Sequence, residues 1–96
     1  MNISVIIPAY NEEKYIQACF KSLALQTILP DELIVVNNNS SDKTEEIAKK
    51  MGAVVIHETK QSQAHARNRG FDYATADLIA KCDADVIVPR NWIETI

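Results

Sequence analysis

The length, composition and charge of this chain limit what kind of protein it can be. With 96 residues, 47% of them hydrophobic and 24% charged, the chain has the composition of one small globular domain. Its net charge is −3 and its ten Lys and Arg residues are scattered along the sequence, so we do not expect the basic surface of a nucleic-acid-binding protein.

The apolar runs also indicate where the protein resides. None approaches the roughly 18 residues that a membrane-spanning helix needs, and the first run lacks the basic start and the cleavage site of a secretory leader. Cys19 and Cys82 both stand in apolar patterns typical of buried thiols. We therefore expect a cytoplasmic protein, and a place at the inner face of the membrane is also compatible with the sequence.

Apolar patterns and turn residues predict strands that alternate with helices. The first strand, residues 3–8, is almost continuously apolar and β-branched, as a strand buried on both faces requires. The predicted elements are strand 3–8, helix 12–26, strand 32–36, helix 42–51, strand 53–57, helix 62–74, strand 78–82 and a helix that starts near residue 92. This order predicts an α/β fold: a three-layer α/β/α arrangement of the Rossmann-like type around a mainly parallel sheet of about four strands.

Capping residues mark several of the helix ends. Ser41 or Asp42 is suited to cap the second helix, with Glu45 placed as in a capping box and Gly52 just past the end. Ser62 is suited to cap the third helix and Asn91 the last one.

Polar clusters follow all four predicted strands. They are residues 9–12, 37–42, 57–58 and 83–85. In a parallel sheet these strand ends lie at one edge, which is where open α/β sheets bind ligands. The last cluster, Asp83-Ala84-Asp85, places two carboxylates about 6 to 7 Å apart on one side if the segment is extended. Oxygen ligands of this kind suit Mg²⁺ or Mn²⁺.

Glycine usage excludes two common nucleotide sites. The chain has only Gly52 and Gly70, and neither follows a strand. A dinucleotide fingerprint and a phosphate-binding loop each need several glycines in a strand-to-helix turn. What remains is a site of carboxylates, carboxamides, a tyrosine and the nearby Arg67 and Arg69, which suits a nucleoside, a sugar and a metal-bridged diphosphate.

Four stretches of the sequence resemble the family 2 glycosyltransferases, which bind nucleotide sugars with the GT-A fold. They are VIIPAYNEE at residues 5–13, VVNNNSSD at 35–42, AHARNRG at 64–70 and DAD at 83–85. They occur in the family's order and span nearly the whole chain. The resemblance implies that residues 1–96 are the N-terminal, donor-binding part of a GT-A domain, with strand one beside strand four.

The resemblance also implies roles for individual residues. The first motif would hold the nucleoside, Asn37 and Asn38 of the second would face the base, and Arg67 of the third would approach the nucleotide. Asp83 would take the ribose and share a Mn²⁺ or Mg²⁺ ion with Asp85. The residues implied at the first motif are Pro8, Ala9, Tyr10 and Glu12.

One departure from the family concerns the second motif, which usually carries aspartates where this chain has Asn37 and Asn38. A carboxamide can still donate to and accept from a pyrimidine edge, but it makes no charge-assisted bond. The resemblance favours uridine as the base, whereas Asn37 and Asn38 leave the choice of base open.

The function implied is metal-assisted, inverting transfer of a sugar from a nucleoside diphosphate to a hydroxyl of a sugar, lipid or polysaccharide. The general base is expected beyond Ile96, so we expect this chain to be incomplete and inactive alone. An exposed apolar edge would then favour self-association. Its residues are Val86, Ile87, Val88, Trp92, Ile93 and Ile96.

Two alternatives remain open. One is a non-catalytic module that binds a nucleotide or a partner. The other is a sugar nucleotidyltransferase, although the stretch after the first strand has no glycine or basic residue to cradle a triphosphate. Individual residues also have plainer explanations, since Asp42 suits a helix cap better than a ligand contact.

Overall fold

The fold is an α/β sandwich, seen in a computed structural model that describes residues 2–96. Its elements are β1 (Ile3–Ala9), α1 (Ile16–Ala24), β2 (Glu32–Asn37), α2 (Thr44–Lys50), β3 (Val54–His57), α3 (Gln63–Tyr73) and β4 (Leu78–Lys81). The strands form one parallel sheet in the order β3-β2-β1-β4. The predicted sheet and the pairing of the first strand with the fourth are confirmed.

Both faces of the sheet are covered by helices, which confirms the three layers. Val5 and Ile7 pack in one apolar cluster with residues of α1 and α2, whereas Ile6 packs in a second cluster with Ala66 of α3. Because successive side chains of a strand point to opposite faces, a strand covered on both faces is expected to be apolar, and Ser4 is the one polar residue of β1. The Ser4 Oγ donates to Glu32 Oε1 at 2.8 Å. All seven of its residues are buried.

Helix α1 is attached to the sheet by the apolar stripe that the sequence predicted. Ile16, Cys19, Phe20 and Leu23 are all buried. The helix begins at Ile16 rather than at residue 12, because the Glu12 carbonyl accepts from the N–H groups of Tyr15 and Ile16 at 3.0 and 2.9 Å in a preceding turn. Cys19 and Cys82 are free thiols, with their Sγ atoms 3.8 Å apart between α1 and the end of β4.

The start of α2 differs from the predicted capping box. Asp42 Oδ1 accepts from the Thr44 backbone N–H at 2.9 Å, as a capping side chain does. Glu45 does not complete the box. Its carboxylate instead accepts from Asn37 Nδ2 at 2.9 Å and contacts His57 Nε2 at 2.5 Å, so it ties α2 to the ends of β2 and β3.

Two predictions for the last fifteen residues are wrong. Residues 83–85 lead into a turn, closed by a 3.2 Å hydrogen bond from the Val86 N–H to the Asp83 carbonyl, so the two aspartates are not on an extended strand. Residues 90–95 form successive turns and no helix capped by Asn91. Within residues 2–96, no helix is long and apolar enough to cross a membrane.

The apolar edge predicted near the end of the chain is only partly exposed. Val88 and Ile93 are buried at 8% and 2% exposure, and the half-buried Trp92 packs against the same core. Gln26 holds this segment down, because its Nε2 donates to the Pro89 carbonyl at 2.6 Å and its Oε1 accepts from the Ile93 N–H at 2.9 Å. The other three predicted residues, Val86, Ile87 and Ile96, are exposed.

Candidate functional site

A cleft of about 500 Å³ opens at the carboxyl edge of the sheet. Beside β1 the connections change direction, since β2 and β3 lie on one side of it and β4 on the other. Such a switch point leaves a crevice between the loops that follow β1 and β4. The cleft is lined by Pro8, Ala9, Tyr10, Glu12, Asn38, Gln61, Ser62, Gln63, Ala66, Asp83, Ala84 and Asp85.

The loop after β1 is fastened to the loop after β2. Asn11 adopts a left-handed conformation, with φ of 52°, which asparagine tolerates better than most residues. Its Oδ1 accepts from the Ser41 N–H at 2.8 Å, and its own N–H donates to Ser40 Oγ at 3.0 Å. The Glu12 N–H donates to Thr44 Oγ1 at 2.9 Å. These bonds fix the backbone that presents Tyr10 and Glu12 to the cleft.

Three carboxylates lie in this cleft. Burial raises the pKa of Glu12, and the negative charges of Asp85, Asp42 and Asp83 raise it further. Asp83 is partly neutralised, since its Oδ1 lies 3.0 Å from Lys81 Nζ. Negative charge is therefore concentrated where Glu12 faces the Asp83–Asp85 turn, and a cation placed there would relieve the repulsion.

The same carboxylates fit a divalent cation. Carboxylate oxygens are the donors that Mg²⁺ and Mn²⁺ prefer. Among residues 2–96, no three or more His, Cys, Asp or Glu side chains are grouped to hold an ion by themselves. Asp83 and Asp85 would therefore supply a minority of the ligands and leave the rest to water and a diphosphate, as is usual for Mg²⁺.

Asn37 and Asn38 are buried, at 5% and 4% exposure. Asn37 Nδ2 donates to Glu45, and its Oδ1 accepts from the Ser40 N–H at 2.9 Å. Asn38 lines the cleft, but its side chain bonds to residues 58–62. Both carboxamides are thus occupied within the protein.

Arg67 is a predicted site residue that the structure does not bring into this group. It is exposed on α3 and does not line the cleft. Arg69 does not line the cleft either, and its Nε donates to the His57 carbonyl at 3.4 Å. Of the predicted site residues, Pro8, Ala9, Tyr10, Glu12, Asn38, Asp83 and Asp85 are brought together, whereas Asn37 and Arg67 are not.

Sequence reasoning missed five residues that line the cleft, namely Gln61, Ser62, Gln63, Ala66 and Ala84. Ser62 was recognisable only as a helix cap, and its Oγ does accept from the His65 N–H at 3.3 Å. Ala66 was recognisable only as a small residue packed on the sheet. The polar run at residues 61–63, which leads into α3, was the only sequence feature that indicated this side of the cleft.

A parallel α/β sheet with a cleft at its switch point defines the class of open α/β proteins that bind ligands at this edge, and comparison with known proteins identifies the family. The family model described as Glycosyl transferase family 2 matches residues 4–96. The chain therefore belongs to glycosyl transferase family 2. Glycosyltransferase AglE of Haloferax volcanii is 34% identical over 100 residues, which cover 96% of this chain and 33% of that protein.

Solved structures of two enzymes share the fold. S. aureus TarS, residues 1–349, in complex with UDP-GlcNAc has a TM-score of 0.88 and 30% identity, covering 99% of this chain and 30% of that one. Glucosyl-3-phosphoglycerate synthase from Mycobacterium tuberculosis, in complex with Mn²⁺, UDP and glucosyl-3-phosphoglycerate, has a TM-score of 0.80 and 33% identity, covering 92% and 35%. The GT-A fold class is confirmed. The chain spans about a third of the length of these proteins.

Proposed function

We propose that this chain forms the donor-binding part of a glycosyltransferase that takes a nucleoside-diphosphate sugar. In the whole protein the sugar would pass to an acceptor hydroxyl with inversion. One observation carries the proposal: the Asp83–Asp85 turn and the Tyr10–Glu12 loop line a single cleft at the switch point of the sheet, although they lie over 70 positions apart in sequence.

The nucleoside would lie along the loop after β1. Pro8 and Ala9 are buried and form the floor, whereas Tyr10 is exposed and provides an aromatic wall. Asp83 is suited to accept hydrogen bonds from ribose hydroxyls, because one of its oxygens is held by Lys81 and the other is free to accept. Asn37 and Arg67 keep their proposed nucleotide roles, to be tested by substitution, whereas the Asn38 side chain is bonded to residues 58–62.

Asp85 and Asp83 would hold the divalent cation. When bound, such an ion neutralises the charge that develops on the departing diphosphate. Glu12 adds negative charge beside them, which strengthens the attraction for the cation. The acceptor hydroxyl must also lose a proton to a base within hydrogen-bond reach, and we assign none of residues 2–96 to that role.

Uridine is the base we propose. The comparison structures support it, since TarS was solved with UDP-GlcNAc and the mycobacterial synthase with UDP and Mn²⁺. The acceptor class, a sugar, a lipid or a polysaccharide, is proposed from family membership alone. Self-association through Val86, Ile87 and Ile96 has no support beyond their exposure.

Calorimetric titration of UDP tests this proposal, with and without Mn²⁺ and with Asp85→Asn as the variant. We expect binding that weakens about tenfold or more, or about 1.4 kcal/mol, when either the metal or the Asp85 charge is removed. Asp72→Asn, which changes an exposed aspartate on α3, is the matched control. A folded chain that binds UDP in no condition would contradict the proposal.

A further inference from the structure

Three consecutive asparagines at the end of β2, residues 37–39, bond to the loop of residues 58–62. The Asn37 carbonyl accepts from the Glu58 N–H at 3.1 Å. Asn38 Nδ2 donates to the carbonyls of Glu58 and Lys60 at 2.9 and 2.7 Å, and its Oδ1 accepts from the Ser62 N–H at 3.0 Å. Asn39 Nδ2 donates to the Thr59 carbonyl at 2.6 Å. Every residue of the triplet therefore holds this loop.

The Asn38 carboxamide has no donor left for a ligand. Its two N–H groups face two carbonyl oxygens, which can only accept, and its oxygen faces a backbone N–H, which can only donate. The partners thus fix which atom of the amide is nitrogen and which is oxygen. At 4% exposure the group is also closed to solvent. Asn38 cannot read a nucleobase with its side chain without giving up these bonds.

Gln61 is the carboxamide of this loop that remains available. It lines the cleft and is exposed. Its Nε2 donates to the Asn38 carbonyl at 3.0 Å, which uses one of its two N–H groups. Among residues 2–96, Gln61 Oε1 has no hydrogen-bond partner. One N–H group and the oxygen of this cleft-lining side chain therefore remain available to a ligand.

We infer that Gln61 is the residue that reads the edge of the donor's nucleobase, and that Asn38 is a positioning residue that acts through it. The inference rests on the proposed function. A pyrimidine such as uracil has a ring N–H beside a carbonyl oxygen. Gln61 Oε1 would accept from that N–H, and the free N–H of Nε2 would donate to the carbonyl, a two-point contact that a carboxamide can make.

The chemistry of position 38 explains why an asparagine stands there. A carboxylate at this place would set an acceptor against the carbonyls of Glu58 and Lys60, where Nδ2 now donates. The repulsion would push residues 58–62 away and take Gln61 with them. The family's usual aspartate is thus incompatible with the conformation of this loop, and the side chain that contacts the nucleobase comes from the loop instead.

The test compares UDP with 3-methyl-UDP, in which a methyl group replaces the ring N–H, by calorimetry in Mn²⁺. We expect the unaltered chain to bind UDP about tenfold or more tightly than the methylated ligand. In Gln61→Ala the ratio should fall below about threefold, since one neutral hydrogen bond changes affinity by roughly three- to tenfold. Gln17→Ala, which truncates an exposed glutamine of α1 outside the cleft, should keep the original ratio.

Asn38→Asp separates positioning from general damage to the fold. If Asn38 acts through Gln61, Asn38→Asp alone lowers the ratio of the affinity for UDP to that for 3-methyl-UDP. In a chain that already carries Gln61→Ala, adding Asn38→Asp leaves this ratio unchanged. The inference would be overturned if Asn38→Asp changed the affinity ratio equally with and without Gln61→Ala, or if Gln61→Ala alone left the ratio unaltered. In either case, binding of UDP itself would still support the donor site. Absence of UDP binding to the folded, unaltered chain would overturn both.

Discussion

At the scale of single residues, the site depends on how its carboxylates share charge. Glu12 is half-buried and faces Asp85 and Asp83 across the cleft, and its pKa is raised by burial first and by these charges next. A raised pKa means that the ionised form opposes folding, so this cost grows as the pH rises through the folded pKa. A bound cation would remove it.

Asp85→Asn should lower the pKa of Glu12 toward its ordinary value of 4.5, because Asp85 is the strongest charge acting on it. Carboxyl-detected NMR titration without divalent metal measures this directly. Asp77→Asn, an exposed aspartate that does not act on Glu12, is the control. A Glu12 titration that is the same in both variants and in the unaltered chain would refute the proposed charge coupling.

Some of the residues that the motifs selected lie together in the structure. Glu12, Asp83 and Asp85 were selected because carboxylates that follow parallel strands lie at the edge where such sheets bind ligands, and all three line the cleft. The partners of Asn38 could not be predicted, since they lie 20 to 24 positions away in a loop whose path depends on β3 and α3. In the sequence, Gln61 cannot be told from other polar surface residues, and only the folded structure shows that it lines the cleft.

At the scale of elements, the period of the apolar residues decided what could be predicted. The continuous run of β1 and the stripe of α1 were found because burial on two faces and on one face leave different patterns. The start of α1 was missed, because residues 12–15 carry helix-compatible side chains but form a separate turn. The capping-box role predicted for Glu45 was wrong, because its partners Asn37 and His57 lie at the ends of β2 and β3 and not on its own helix.

Gly70 is the point where α3 lies closest to the sheet. A Cβ there would come within 3.1 Å of Ile6 Cβ and Val36 Cγ2, both on buried strand residues that cannot move aside. Gly70→Ala should therefore destabilise the fold by about 1 to 2 kcal/mol despite the better helix propensity of alanine. Urea unfolding measures the change.

The matched control for Gly70 is Asn68→Ala, at an exposed position of the same helix. It should stabilise the fold by about 0.5 kcal/mol through propensity alone. If Gly70→Ala is as stable as the unaltered chain, α3 does not rest on the sheet as closely as the structure places it.

Glu45 links α2 to the sheet in a pH-dependent manner. Hydrogen bonds from Lys49, His57 and Asn37 lower its pKa from 4.5 to about 2. Because a lowered pKa stabilises the fold above the unfolded value, this contribution is present above about pH 4.5 and is lost as the pH falls toward 2. At 32% exposure for the Glu45 side chain, we expect no more than about 1 kcal/mol.

Urea unfolding of Glu45→Gln at pH 5.5 and at pH 2 tests this link. The variant should be less stable than the unaltered chain at pH 5.5, and the difference should shrink at pH 2. Glu46→Gln, the exposed neighbour, should show little effect at either pH. A deficit for Glu45→Gln that is equally large at both pH values would rule out the ionic link.

At the scale of the whole molecule, the site is a product of topology. Periodicity predicted the order of elements along the chain, but it contains no information on which strands are neighbours. The pairing of β1 with β4 was implied by resemblance to a family and is what brings residues 10–12 beside residues 83–85. In the Asp83–Asp85 turn, Ala84 is buried in the same apolar cluster as residues of α1, a contact that no local pattern could have shown.

The central claim is that a nucleoside diphosphate and a divalent cation meet between these two loops. Amide NMR of the chain with UDP, in Mn²⁺ against a Mg²⁺ reference, locates the cation directly, because paramagnetic broadening falls steeply with distance. We predict the strongest broadening at the amides of residues 10–12 and 83–86, and the weakest at residues 31–33, which pair with the start of β1 at the opposite edge of the sheet. Broadening centred instead on the exposed acids of α2, or no UDP-dependent change anywhere, would contradict the account.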